Sequence, residues 1–306
     1  MIADHPPPPP RALVHRPRLL DRLDRGAEGP LTVVSGPPGA GKTTLAADWA
    51  RERAAQDRAV LWRSAGAPDA VAALVDELAR AQPKTGASPL VVVVDELAPA
   101  VAPECRRLPD RALSARLAEL LRARAGTLRL VLCTRGESPL PLGRARLDGE
   151  VVEIGADELA FTLEEARALL ATRLPAETAH ARWSEVEGWA AGLAHEPGEM
   201  PGYMRRELLD PLDPARRDFL LRVSVADELT PALAEALADG SVPDAGATLE
   251  RLARDHALVV PLDRHGGGYR LAPPLRDALR ALLPQALPGA EAELHRRAAD
   301  WHARAG

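Results

Sequence analysis

The stretch Gly36-Pro37-Pro38-Gly39-Ala40-Gly41-Lys42-Thr43-Thr44 has the residue types and spacing to hold a polyphosphate. It fits G-x-x-x-x-G-K-[ST], in which glycines let consecutive backbone N–H groups curl round phosphate oxygens while the following helix turns its positive end toward them. Lys42 is placed to pair with the outer phosphates and Thr43 to hold Mg²⁺. Of 39 basic residues only Lys42 and Lys84 are lysine, so arginine carries positive charge almost everywhere except in this loop. An ammonium is a compact point charge, where a guanidinium fork would not fit.

A second constellation is Leu90-Val91-Val92-Val93-Val94-Asp95-Glu96. A continuous aliphatic run reads as a strand buried on both faces of a parallel sheet, and this one ends in carboxylates. After a P-loop, that pattern assigns Asp95 to Mg²⁺ and Glu96 to orienting or deprotonating an attacking water, as the catalytic residue. Leu128-Arg129-Leu130-Val131-Leu132-Cys133-Thr134-Arg135 ends in the same way, and ligands sit at the carboxyl ends of parallel strands, which makes Arg135 a candidate γ-phosphate sensor.

These groups need a scaffold. Leu31–Ser35, Ala59–Trp62, Leu90–Glu96, Leu128–Arg135 and Glu150–Ile154 read as strands, with helical spacing between them: Leu45 and Trp49; Val71, Leu74, Val75 and Leu78; Leu113, Leu117, Leu120 and Leu121. Alternation of this kind predicts an α/β fold with a doubly wound parallel sheet. Leu19, Leu20 and Leu23 form an amphipathic helix ahead of it, and Thr162-Leu163-Glu164-Glu165 is a capping box opening a helix behind it.

Beyond residue 157 the strands give way to helices. Asp213-Pro214 and Thr230-Pro231 are helix-start signals. Leu249 and Leu252 mark a third helix, and Leu258–Leu262 and Tyr269–Leu271 flank Gly266-Gly267-Gly268 as a hairpin. Three helices and a hairpin predict a winged helix. Residues 214 to 283 carry nine Arg against ten Asp plus Glu, which argues for a packing module over direct DNA binding.

The whole-chain numbers exclude more than they assign. With 306 residues and 46% hydrophobic content the chain can bury two or three cores. A net charge of −5 gives no general reason to expect nucleic acid or an anionic membrane. Cys105 and Cys133 make neither a disulfide framework nor a metal site, which fits a reducing cytoplasm, and the eight histidines have no metal-ligand spacing. The longest aliphatic run is far too short to span a bilayer. The guanine-reading Asn-Lys-x-Asp is absent, the chain containing no asparagine, so ATP is the expected nucleotide.

Val14-His15-Arg16-Pro17-Arg18-Leu19-Leu20, the P-loop, the Asp95-Glu96 strand, Leu130–Arg135 with Leu140-Pro141-Leu142, and Phe161–Ala166 occur in a fixed order. They are followed by Glu187-Gly188-Trp189-Ala190-Ala191-Gly192-Leu193 and Arg217–Ser224. In that order the chain resembles the STAND class of P-loop ATPases, in particular the MalT-like large ATP-binding LuxR-type regulators. The resemblance implies an ATP/ADP switch with slow hydrolysis that self-associates in the ATP state under an unknown inducer. It also implies a sheet order of 5-1-4-3-2, and Val14 and Arg16 near the adenine. It divides the chain into a Pro-rich tail (1–10), a P-loop domain (11–156), a helical domain (157–208), a winged helix (209–284) and the start of a helical-repeat sensor (285–306). One departure is Ala272, where the family usually places a histidine that touches the ADP phosphate. A small-molecule phosphotransferase of the metabolic-kinase type is the alternative, and the winged helix argues against it.

Overall fold

The computed structural model describes residues 5–305 apart from 57, 59, 66–69, 81–88, 98–110, 125, 137, 139, 257–258 and 263–266. Lys84, Cys105 and Gly266 lie outside the described residues, as do the side chains of Val71, Leu113 and His256. The chain divides into two compact units, Met1–Ala179 and His180–Gly306.

In the first unit α1 (Pro17–Gly26) precedes β1 (Leu31–Ser35), α2 (Lys42–Ala55), β2 (Val60–Ser64), α3 (Ala70–Arg80) and β3 (Leu90–Leu97). Then come α4 (Arg111–Ala123), β4 (Leu128–Thr134), the short α5 (Gly143–Leu147) and β5 (Val151–Ile154). The strands are parallel and lie in the order β2-β3-β4-β1-β5, which is the expected order read from the other edge. Central strands need apolar residues toward both helical layers, so Val91 to Val94 and Leu130 to Cys133 are all buried. Leu19, Leu20 and Leu23 of α1 are buried as their spacing requires, and Trp49 and Trp62 are core residues. Arg51 Nη2 of α2 donates to the Pro7 carbonyl of the proline tail at 2.6 Å.

After β5 come α6 (Ala156–Leu159) and α7 (Leu163–Leu170), and the capping box forms as expected: the Glu165 N–H donates to Thr162 Oγ1 and the Thr162 N–H to Glu165 Oε2. Glu165 has a second task that its spacing did not reveal. Its carboxylate accepts from Arg16 Nε at 3.2 Å and from Arg18 Nε at 2.8 Å, fastening the N-cap and first turn of α1 to the start of α7. Burial pushes this carboxyl up. The bonds from Arg18 and the Thr162 N–H, with the charge of Arg16, outweigh that and hold it below the usual carboxylate range. Its stabilisation is therefore complete above about pH 4.3, the ordinary Glu pKa, and is lost as pH falls through the lower folded value. Glu165→Ala removes half a capping box and the carboxylate partner of a buried guanidinium, so it should cost about 2 to 4 kcal/mol. A lowered urea midpoint at neutral pH checks this, and the difference from the parent should shrink below pH 4.

α8 (Ala176–Glu185) runs across the division. The second unit continues with α9 (Ala190–Ala194), a 3₁₀ turn, α10 (Met200–Met204), a π-helical turn at Arg205–Leu209, α11 (Pro214–Val223), α12 (Pro231–Ala238) and α13 (Ala245–His256). β6 (Val259–Pro261), β7 (Tyr269–Leu271), α14 (Pro273–Ala286) and α15 (Ala290–Ala305) complete it. Both start signals hold: Asp213 Oδ1 accepts from the Arg216 N–H and Thr230 Oγ1 from the Leu233 N–H. β6 and β7 are antiparallel, and β7 also exchanges two 2.7 Å backbone bonds with Leu229, completing the wing. α14 is a helix beyond the three helices and hairpin expected of the winged helix, and it carries Pro273 and Pro274 in its first turn and Pro284 in its interior. Proline is tolerated in a first turn, and the buried Leu275, Ala278, Leu279 and Leu283 outweigh the interior proline. Ala272 is the N-cap of this helix and is buried.

Candidate functional site

The P-loop leaves β1 and enters α2 through two left-handed residues, Gly39 (φ 72°) and Gly41 (φ 86°), a conformation that costs other residues free energy. At Gly36 a Cβ would sit 3.0 Å from Leu159 Cδ1 and 3.4 Å from Ala40 Cβ, so the loop closes tightly there. Gly36, Pro37, Pro38 and Ala40 are buried, while Gly39, Gly41, Lys42, Thr43 and Thr44 are half-buried along the rim. No side chain caps the first turn of α2, which leaves its N–H groups for a ligand. Lys42 Nζ folds back to donate to the Gly36 and Pro37 carbonyls, both at 2.8 Å. Burial, with the nearby Arg135 charge adding to it, pulls Lys42 down to about 8.

Beside the loop, Thr43 Oγ1 donates to Asp95 Oδ1 at 3.0 Å. A hydroxyl and a carboxylate from opposite elements make a hard oxygen pair of the kind that suits Mg²⁺. Burial pushes the Asp95 carboxyl up, and the Thr43 hydroxyl and Glu96 N–H that bond to it pull the other way. Glycine loop, ammonium, uncapped helix turn and oxygen pair together fit a Mg²⁺-bound nucleotide.

Glu96 is the feature that spacing could not give. The expected strand ended at Glu96, but β3 runs on to Leu97, with Val94 opposite Leu132 and Leu97 opposite Thr134. Three steps on β3 match two on β4, which is a β-bulge, and Glu96 sits in it at φ 57°. A non-glycine residue held left-handed costs of order 1 kcal/mol or more, and such strain gathers at functional sites. The bulge turns Glu96 to solvent, and Ser64 Oγ at the end of β2 donates to its Oε2 at 3.0 Å. Ser64 carries no motif and was missed.

Arg135 is half-buried next to β4, close enough for its charge to depress Lys42. Cys133 is fully buried, and burial pushes its thiol up, so it stays protonated and inert. Val14 is half-buried. The Arg16 guanidinium bonds to the Leu159 and Ala160 carbonyls and to Glu165 and lies 4.2 Å over the Phe161 ring, and burial pulls it down to about 10. Its side chain thus ties the segment before α1 to α6 and α7.

Against known proteins, residues 205–291 match the family described as MalT winged helix domain. Similarity extends over almost the whole chain to the HTH-type transcriptional regulator MalT of Serratia proteamaculans, 28% identical over 94% of this chain and 37% of that protein. Over that length the chain is similar to MalT. The MalT-like segment is also 28% identical to the serine/threonine-protein kinase PknK of Mycobacterium tuberculosis, over 98% of this chain and 31% of that one. It therefore spans roughly a third of the length of the curated relatives it matches. Among solved structures, a STAND protein with a tetratricopeptide repeat sensor from Pyrococcus horikoshii aligns at a TM-score of 0.43 and 16% identity, covering 98% of this chain and 46% of that one. Among the described residues no helix is long and apolar enough to cross a membrane, and no group of three or more His, Cys, Asp or Glu could hold a metal ion.

Proposed function

We propose that this chain binds ATP and ADP with Mg²⁺ and works as the nucleotide switch and oligomerisation core of a signal-responsive transcriptional regulator. The observation that carries the reading is the Thr43–Asp95 oxygen pair, 3.0 Å apart beside the glycine loop that holds Lys42, in a chain whose winged helix matches that of MalT. Lys42 exchanges its two loop carbonyls for phosphate oxygens. Thr43 and Asp95 hold the metal, which when bound neutralises phosphate charge. Glu96 orients the attacking water, Arg135 senses the outer phosphate, and Val14 with Arg16 flanks the adenine. Hydrolysis is slow and resets the switch, self-association belongs to the ATP state, and the inducer acts through a helical-repeat sensor that begins near α15. Gel filtration with ADP and then with a non-hydrolysable ATP analogue tests the switch: assembly only with the analogue is expected, and an identical elution volume with both overturns it.

Lys42 also gives this reading a pH signature. Phosphate contact requires the ammonium, whereas in the free protein that group loses its proton near pH 8. Affinity for ADP should therefore be nearly level between about pH 7 and 8 and fall as pH rises beyond that, approaching tenfold per pH unit, with up to one proton taken up on binding above pH 8. Calorimetry in buffers of different ionisation enthalpy checks this, and a flat profile from pH 7 to 9.5 would contradict it.

A further inference from the structure

Within the second unit a cavity of about 170 Å³ lies where the end of α8 meets α10 and α14. Val186, just after α8, and Met200 and Pro201 of α10 line one side of it, and Pro274 and Ala278 of α14 line the other. A void of that size persists only where its walls do not relax into it. The rings of Pro201 and Pro274 are stiff, and Ala278 is too short to fill the space. The α8 wall is fixed by Arg182, whose buried guanidinium donates through Nη2 to the Gly192 carbonyl at 2.7 Å and the His195 carbonyl at 3.3 Å. The turn after α8 is left-handed at Glu187 (φ 50°) and Gly188 (φ 71°), and Arg270 Nη2 of β7 donates to Glu187 Oε2 at 2.9 Å. The cavity is therefore held in shape without a ligand, as small-molecule sites usually are.

Charge decides what the cavity can take. Its lining carries one guanidinium, Arg182, and two carboxylates, Glu185 and Asp277. Arg182 is already committed, with Nη1 donating to Glu185 Oε2 at 2.8 Å and Nη2 to the two carbonyls. The Glu185 and Asp277 side chains are 55% and 54% exposed and mark the mouth. An anion entering there meets two like charges, whereas a cation meets two carboxylates beside an apolar floor. A dry cavity of about 150 Å³ is enough to hold a benzene ring, and the thioether of Met200 adapts to whatever shape lies against it. We propose that this cavity is a binding site for a small amphipathic cation, an apolar body the size of one ring carrying a single ammonium. The body rests against Met200 and Ala278, and the charge sits between Glu185 and Asp277. The proposal is independent of the nucleotide reading, since the cavity belongs to the second unit and the P-loop to the first.

NMR of the full chain with methyl-labelled methionine reads the site directly, because Met200 lines the cavity and Met204, one turn further on, does not. Benzylamine, benzyl alcohol and benzoate are the probes, one ring with three different charges. Benzylamine should shift the Met200 methyl signal with a dissociation constant of about 1 mM, the range open to a ligand of its size. Benzyl alcohol should bind roughly three- to tenfold more weakly, and benzoate more weakly still. The double variant Glu185→Gln, Asp277→Asn, at two exposed positions, should bring benzylamine down to the level of benzyl alcohol and leave benzyl alcohol unchanged. Ala278→Leu should fill the space and abolish the Met200 response to both; if overpacking unfolds that variant, the double variant still decides. A Met200 signal that does not move with benzylamine at about twenty times the expected dissociation constant overturns the proposal. Benzoate binding as tightly as benzylamine, or benzylamine binding unchanged in the double variant, overturns it equally.

Discussion

Lys42→Ala should abolish most of the stabilisation that ADP or ATP confers. A charged hydrogen bond to phosphate contributes about 1.5 to 3 kcal/mol, so the dissociation constant should rise roughly ten- to hundredfold. At a ligand concentration about a hundred times the parent's dissociation constant, binding stabilises the fold by about 2.7 kcal/mol; a hundredfold weaker variant retains about 0.4 kcal/mol. Without ligand the two proteins should melt within a few degrees of each other. Among the described residues the ammonium bonds to the Gly36 and Pro37 carbonyls of the loop, and its removal also relieves the burial of a charge. Differential scanning fluorimetry with and without ADP reads both quantities. Lys42→Arg should not rescue, because a fork cannot replace a point charge inside a loop of this shape. An undiminished ligand-induced shift in Lys42→Ala would remove the P-loop from the account.

Glu96→Gln should bind ATP as the parent does and turn it over about two to four orders of magnitude more slowly, the scale on which a group that positions or deprotonates water contributes. The amide keeps the length of the side chain and an oxygen for the Ser64 hydroxyl, which lies 3.0 Å from Oε2, so the bulge should survive. Glu96→Gly gives an independent reading. Replacing a residue at φ 57° by glycine relieves strain and should raise stability by up to about 1 kcal/mol while turnover falls as in the glutamine variant. Stability gained and activity lost together is the behaviour of a residue held strained for function. Unchanged single-turnover hydrolysis in Glu96→Gln would show that another group positions the water.

The residues that read most clearly in the sequence are those whose partners lie within a few positions. The glycine spacing from Gly36 to Gly41, the Thr162–Glu165 box and the Asp213 and Thr230 caps are local bonding patterns, and the structure forms each of them. The strand at Leu90 was legible for a related reason, since a run buried on both faces must be apolar throughout. The sheet order followed from resemblance to a family, not from the periodicity of the strands.

Tertiary structure decided the rest. Whether Glu96 ends a strand or sits in a bulge depends on how Leu97 registers against Thr134, a neighbour that the sequence of β3 does not contain. Ser64 meets Glu96 only because β2 lies beside β3. Glu165 reads as a cap, and its ion pairs with Arg16 and Arg18 exist because two distant segments are packed together. α14 shows the same limit from the other side: Pro284 in its interior argues locally against a helix, and burial of Leu275, Leu279 and Leu283 overrides it. Hydrogen bonds within a turn are written in residue spacing, whereas contacts across elements depend on registers and crossings that only the folded chain fixes.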